Sequence, residues 1–401
     1  MALMLRHRGA LLILMLNIFI LFVGVGLVIP IMPSYMEFLH IDGTTVGLMV
    51  AAFSLSQFLF SPFAGRLSDR VGRKPIIIAG LLVFALSEWM FGASNTVFFL
   101  FFARVLGGIG AALSMPAIFA YVADITTDEE RGKAMGIVTA ALTTGFIIGP
   151  GIGGYLSQLG LRAPFYGAAI AGLIAAFITI IFLPKKVELA KSDTVEASHS
   201  TGKEFLPLWK QLLLSVKEPY FFSLIIVFIA AFGLANYETV FALYVDHKFG
   251  FTAEDIALMI TLGSIAGAVI QATLFGKLLD WFGEFKIIVF SLVLTGVFVI
   301  LLTFTKTYWI IFAVTFIVFL GSDLLRPALG TLLSKMTKDE QGYVQGLNSS
   351  YTSLGNIVGP ILAGFLFDYN IDVPFYVGGL VMILCFGIAL LAGKKYLTAP
   401  K

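Results

Sequence analysis

A helix that crosses a lipid bilayer needs about 20 consecutive, predominantly apolar residues. This chain meets that requirement near residues 10–36, 44–64, 75–92, 97–122, 134–156, 163–183, 220–245, 254–275, 286–305, 308–331, 343–367 and 373–393. Twelve such runs in 401 residues leave little sequence for anything else. The composition agrees: 59% of residues are hydrophobic and 12% charged, where a soluble domain carries about 45–50% and about 25%. So few charges cannot coat a soluble surface. The expected class is an all-α polytopic membrane protein, which excludes a secreted disulfide scaffold, a cytosolic enzyme and a nucleic-acid binder. Cys385, the single cysteine, reads as a small buried hydrophobe. His7, His40, His199 and His247 are scattered without ligand spacing, so no metal site is expected.

Arg6 and Arg8 precede the first run as in a signal peptide, but the run is too long for one and predicts a retained helix. Lys and Arg accumulate on the cytoplasmic side of membrane proteins. Arg66, Arg70, Arg73 and Lys74, then Arg131 and Lys133, then the six lysines between Lys185 and Lys217, and finally Lys277, Lys286, Lys335, Lys338, Lys394 and Lys395 fall on the side of the N-terminus. The opposite side receives Arg162, Lys248 and Lys306. Both termini are therefore expected in the cytoplasm, in a multi-pass protein of the plasma membrane. Residues 185–219 are the only long connection, and they divide the chain into a six-helix bundle at 1–184, a cytoplasmic loop and a second bundle at 220–401. The end of that loop, Phe205–Val216, suits either an amphipathic interfacial helix or an irregular linker.

The halves repeat at an offset of about 210 residues. Gly65-Arg-Leu-Ser-Asp69 answers Gly276-Lys-Leu-Leu-Asp280, and Met115-Pro116-Ala117 answers Arg326-Pro327-Ala328. Gly145-x-x-x-Gly149-Pro150 answers Gly355-x-x-x-Gly359-Pro360, and Pro164-Phe165-Tyr166 answers Pro374-Phe375-Tyr376. A tandem six-span repeat predicts two pseudo-symmetric bundles with a site near the bilayer midplane, the build of a secondary transporter.

Four groups of residues carry chemistry. The first is the turn after span 2, with Gly65, Asp69, Arg70, Gly72 and Arg73. Asp69 is placed to accept from the first-turn amides of the next helix, and Arg73 to bridge it to Asp124 at the end of span 4. The second is Gly145-Phe-Ile-Ile-Gly149-Pro150-Gly-Ile-Gly153-Gly154. It formally contains G-x-G-x-x-G but lacks any βαβ context; glycines at this spacing flatten a helix for close packing instead. The third is the set of ionic groups inside spans: Arg104, Glu238, Asp323 and Arg326. Charges at such depth are expensive and mark functional sites. Asp323 and Arg326, at i,i+3, suit a static ion pair as well. Asn17, Asn236 and Tyr237 are the polar cavity candidates. Glu88, near the outer end of span 3, reads as structural.

The turn after span 2 resembles the signature loop of the major facilitator superfamily, and the span 5 segment resembles that superfamily's drug/proton antiporter motif. Gly26-Leu-Val-Ile-Pro30, Asp246-His-Lys-Phe-Gly-Phe-Thr252 and Arg326-Pro327 extend the likeness to Bmr- and NorA-type multidrug efflux pumps of Gram-positive bacteria, over nearly the whole chain. The resemblance implies two bundles of the major facilitator fold and export of hydrophobic, mainly cationic compounds in exchange for protons. It puts proton and drug binding on Glu238 and Asp323, proton coupling on Arg104, and a conformational lock on Asp69 and Arg73. It implies no cofactor, no catalytic residue and no nucleic-acid partner. Small hydrophobic or cationic molecules, protons and lipid are the expected partners, of a monomer. A proton-coupled metabolite or sugar carrier is the alternative, but such a carrier favours Asn, Gln and Trp in its cavity spans, and few occur here. A membrane sensor would need an output domain, for which the tails and central loop are short.

Overall fold

The computed structural model describes residues 8–184, 208–336 and 341–398. Every regular element among them is helical. Helix α1 (Arg8–Leu27) passes through a tight turn at Ile29–Ile31 into α2 (Met32–Leu39). Pro30 and Pro33 cause the bend, because each lacks a backbone N–H and crowds the turn before it. Then follow α3 (Gly43–Val71), α4 (Arg73–Ala93), α5 (Val97–Ile125), α6 (Asp128–Ser157) and α7 (Ala163–Phe182). After the short α8 (Leu208–Ser215) come α9 (Phe221–Phe249), α10 (Ala253–Leu301), α11 (Tyr308–Met336), α12 (Gln341–Tyr369) and α13 (Val373–Thr398).

Ten helical stretches are long and apolar enough to cross a membrane, and Val373–Ala389 is a shorter apolar one. Helix α10 counts twice. Gly283 has φ 74°, ψ 161° and breaks it into two crossings with no intervening loop. Its counterpart Gly72, at φ 105°, does the same between α3 and α4. Both positions need a positive φ that L side chains resist, which explains glycine at each. Helical segments thus lie at all twelve expected apolar runs, in the expected order. The proline pairs recur too: Pro116 and Pro327, and Pro150 and Pro360, lie inside helices at matching places.

The chain forms two compact units. The first holds α1, α2, most of α3, and α4 to α7, together with Gly250–Thr261. Its core joins Leu14, Ile18, Ile77, Phe84, Ile118 and Val138. The second holds Gly43–Leu48, α8, α9, the rest of α10, and α11 to α13. Leu224, Ile288, Leu325, Leu332, Leu347 and Cys385 are among its core residues. The first turn of α3 belongs to this second unit because Asp368 of α12 accepts hydrogen bonds from the amides of Gly43 and Thr44, both at 2.7 Å. Those are first-turn amides without a partner in their own helix. Within the same unit α8 docks on α12. Ser215 is fully buried and its hydroxyl lies 2.9 Å from that of Tyr351. Of the Phe205–Val216 segment, the described part is therefore a helix packed on protein; 205–207 lie outside the described residues.

Helix α6 shows what its glycines are for. A Cβ at Gly145 or Gly149 would stand 2.5 Å or 2.7 Å from the carbonyl oxygens of Phe19 or Val23, and one at Gly153 would collide with that of Leu27. All three acceptors lie on α1, so one glycine face lets the two backbones touch. Gly151 and Gly154 line another face, against Thr261 and Ala257 at the start of α10. The second unit repeats the device: a Cβ at Gly355 or Gly359 would stand 2.7 Å from a carbonyl oxygen of α9.

Candidate functional site

In the second unit α9 and α11 bring the intramembrane acids together. Glu238 and Asp323 are both partly buried, and each feels the charge of Arg326. Asp323 also acts on Glu238. Two carboxylates and one guanidinium thus share one electrostatic neighbourhood carrying a formal excess of negative charge. The static pair of Asp323 with Arg326 is not formed: Arg326 is exposed and interacts through its field, without a hydrogen bond. Gly267 of α10 makes room for the acid, since a Cβ there would collide with Asp323 Oδ2.

The residues beside Glu238 are packed rather than open. Tyr237 is 1% exposed, donates to Thr315 Oγ1 at 3.1 Å and stacks on Phe241 with ring centroids 5.1 Å apart. Phe319 and Phe375 meet the same ring edge-on at 6.0 Å and 6.1 Å. Asn236 is 1% exposed and lies against Gly378. In the first unit Asn17 is fully buried and donates from Nδ2 to Thr179 Oγ1 at 2.9 Å. Asn17 and Tyr237 thus bond across helices, the buried Nδ2 of Asn236 has no hydrogen-bond partner, and Glu238 and Asp323 keep part of their surface open. Arg104 is 8% exposed, its guanidinium carbon 4.4 Å from the centre of the Phe91 ring.

At the turn between α3 and α4, Arg73 bonds Asp69, Asp124 (Nε to Oδ2, 3.1 Å) and the Ser68 hydroxyl at 3.3 Å. Asp69 pairs with Arg73 rather than capping α4, whose first residue follows Gly72 without any side-chain cap. The physical reason is reach: Asp69 lies in the last turn of α3, one helical turn before Arg73. Arg70 is exposed, and a Cβ at Gly65 would meet open space.

By sequence the second copy of this turn, ending Trp281-Phe-Gly-Glu-Phe-Lys286, reads as degenerate, yet it carries an ion pair of its own. Glu284 follows Gly283 as Arg73 follows Gly72, and it bonds Lys335 of α11. Both pairs span 51 residues, with the signs reversed. Residue-type matching hid this, because an arginine answers a glutamate; matching positions that carry any charge would have found it. The reversal can be tested. Glu284→Arg should place two cations face to face and lower thermal stability by about 1 kcal/mol, the scale of a half-exposed pair. Adding Lys335→Asp should restore it, because Asp280, one turn before position 284, then gains a partner as Asp69 has. A double variant no more stable than the single one in a melting assay would remove the equivalence.

Comparison with known proteins bears on the family and the fold. The Major Facilitator Superfamily profile matches residues 14–237 and 223–400. Multidrug resistance protein 2 of Bacillus subtilis (strain 168) is 49% identical over 97% of this chain and 96% of its own length. Multidrug resistance protein 1 of the same organism is 48% identical over 96% of the chain and 95% of that protein. The quinolone resistance protein NorA of Staphylococcus aureus (strain COL) is 39% identical over 93% and 95%. Among solved structures, a bacterial homolog of the human lysosomal transporter Spinster superposes with a TM-score of 0.76 at 16% identity, covering 97% of this chain and 96% of that one. The nucleoside transporter NupG does so with 0.74 at 15%, covering 98% and 100%. At such identities these two bear on the fold alone. With a tandem six-span repeat, a charged turn after span 2 and a superfamily profile that matches nearly end to end, this chain belongs to the major facilitator superfamily.

Proposed function

We propose that this protein is a multidrug efflux transporter of the cell membrane, exporting hydrophobic, mainly cationic compounds in exchange for protons. The observation that carries the reading is the pair of intramembrane carboxylates, Glu238 and Asp323, held in one electrostatic neighbourhood of the second unit. Near-full-length identity of 49% to a multidrug resistance protein supports the substrate class.

The chemistry is competition. With the acids ionised, the site attracts a cationic amphiphile by charge, and apolar and aromatic walls take its hydrocarbon. Protonation from outside cancels the attraction and releases the drug. The protonated carrier returns and gives the proton to the more alkaline cytoplasm. The proton gradient supplies the work, so no nucleotide or other cofactor takes part, and no covalent step occurs. Both termini face the cytoplasm, as the Lys and Arg distribution supports, and a single chain suffices. The Gly72 turn, with Asp69, Arg73 and Asp124, acts as a cytoplasmic lock, and the glycine face of α6 seats that helix against α1.

Cells producing the protein should accumulate less ethidium than cells without it, and a protonophore should abolish the difference. Everted vesicles should take up the dye when a proton gradient is imposed without ATP. Uptake that needs ATP, or that survives collapse of the gradient, would sink the antiport reading. Export of a neutral sugar with no response to cationic dyes would favour a metabolite carrier.

A further inference from the structure

Helices α4 and α5 are joined by a short turn at 94–96. Glu88 lies about one and a half turns before that connection and Arg104 about two turns after it. Tyr35, one turn before the end of α2, faces the same pair: Tyr35 feels the charges of both Glu88 and Arg104, and Glu88 that of Arg104. All three side chains are more than nine-tenths buried, at 4% exposed for Glu88, 8% for Arg104 and 0% for Tyr35. Yet Glu88 Oε2, Arg104 Nε and Nη2, and the Tyr35 hydroxyl have no hydrogen-bond partner.

That combination is unusual. Buried polar atoms are satisfied in the great majority of cases, and an Arg–carboxylate pair built for stability uses parallel hydrogen bonds. Here neither the carboxylate nor the guanidinium is saturated by the other. Instead Arg104 rests on Phe91, and Phe91 stacks on Phe165 at 4.6 Å, with the Tyr35 ring 5.4 Å from each. An aromatic face stabilises a desolvated cation. Arg104 therefore has support that does not depend on the charge of Glu88. Glu88 can pass between carboxylate and carboxylic acid without leaving the guanidinium stranded.

We propose that Glu88, with Arg104 and Tyr35, forms a second proton-binding site, in the first unit and separate from Glu238 and Asp323. It rests on the antiport reading above. The proton passes from a hydronium ion onto a Glu88 carboxylate oxygen, leaving water, and later returns to water; nothing is oxidised or reduced. Arg104 holds the ionised state, and the Tyr35 hydroxyl and the free oxygen of Glu88 order the water that carries the proton. The other titratable groups near the site are Arg162 and Tyr166, from the start of α7, which act on Tyr35. Helix α1 contributes no titratable side chain beyond Arg8 at its far end.

The test compares three modes in proteoliposomes holding the full chain: uphill ethidium transport driven by a pH gradient, ethidium–ethidium exchange without a gradient, and the pH profile of the uphill rate. Glu88→Gln should lower uphill transport about tenfold, the scale of a coupling free energy between two sites. Exchange should fall far less, and the pH profile of the residual uphill rate should move. If Glu88 only anchors α4 to α5, the variant instead lowers thermal stability, scales both modes alike and leaves the profile where it was; that result overturns the proposal. Should Glu88→Gln fail to insert, Glu88→Asp retains the acid on a shorter stem. It should transport uphill with a displaced pH profile, and an undisplaced one overturns the proposal equally. A wild-type protein that moves ethidium with no response to the proton gradient is a different failure, because it removes the antiport reading itself.

Discussion

Glu238→Gln should abolish transport of monovalent cations while leaving a folded, membrane-inserted protein. The substitution keeps the shape of the side chain and its hydrogen-bonding capacity but fixes it in a neutral form, equivalent to permanent protonation. A unit charge pair about 4 Å apart at an effective dielectric of about 20 is worth about 4 kcal/mol, so apparent affinity for a cation should fall by about 100-fold or more. Tyr237 and Asn236, the packed neighbours, are untouched, which protects the fold. A neutral substrate should lose much less, since only the cation needs the negative charge. Asp323→Asn should likewise lose proton-driven transport. Its cost in stability should stay below about 1 kcal/mol, because Arg326 is exposed rather than stranded in the interior. Binding and transport of tetraphenylphosphonium and of a neutral dye, across pH, distinguish these outcomes. Wild-type, proton-driven cation transport by Glu238→Gln would take Glu238 out of the site and leave Asp323 and Arg104 as the remaining candidates.

The second large effect is steric. Gly149→Val and Gly153→Val should each destabilise the first unit by about 1–3 kcal/mol or more, the cost of overpacking a filled interior. The atoms in the way are the backbone carbonyls of Val23 and Leu27, which cannot rotate aside as a side chain would. Helix α1 would have to move as a body, and transport should fail with it. Gly136, in the same helix, has open space around it. Gly136→Ala should be neutral or slightly stabilising, by up to about 1 kcal/mol from the gain in helix propensity. Melting temperatures of the three variants in detergent, followed by fluorescence-detected size exclusion, measure the contrast. Equal stability of all three would show that the α1–α6 contact tolerates a wider gap than its glycines imply.

The crossings were legible in the sequence because the bilayer imposes a local rule: about 20 apolar residues in a row, read without knowing any contact. The tandem repeat, the α6 glycines and the intramembrane acids were legible for similar reasons, since spacing along one helix and the cost of a charge in lipid are properties of short segments. The break at Gly283 was read as the gap between two runs, although no loop is there; only the backbone angle distinguishes the two. What required the tertiary structure were the distances between helices. Arg73 finds Asp124, and Glu284 finds Lys335, across 51 residues of chain. Arg326 sits one turn from Asp323, yet it is exposed and acts on that acid by charge, without a hydrogen bond. Glu88 looked like an ordinary acid near a helix end, and its burial beside Arg104, Tyr35 and Phe91 comes from α2 and α5 closing over α4. A sequence carries the energetic cost of each group one residue at a time, while the partner that offsets that cost is chosen by packing.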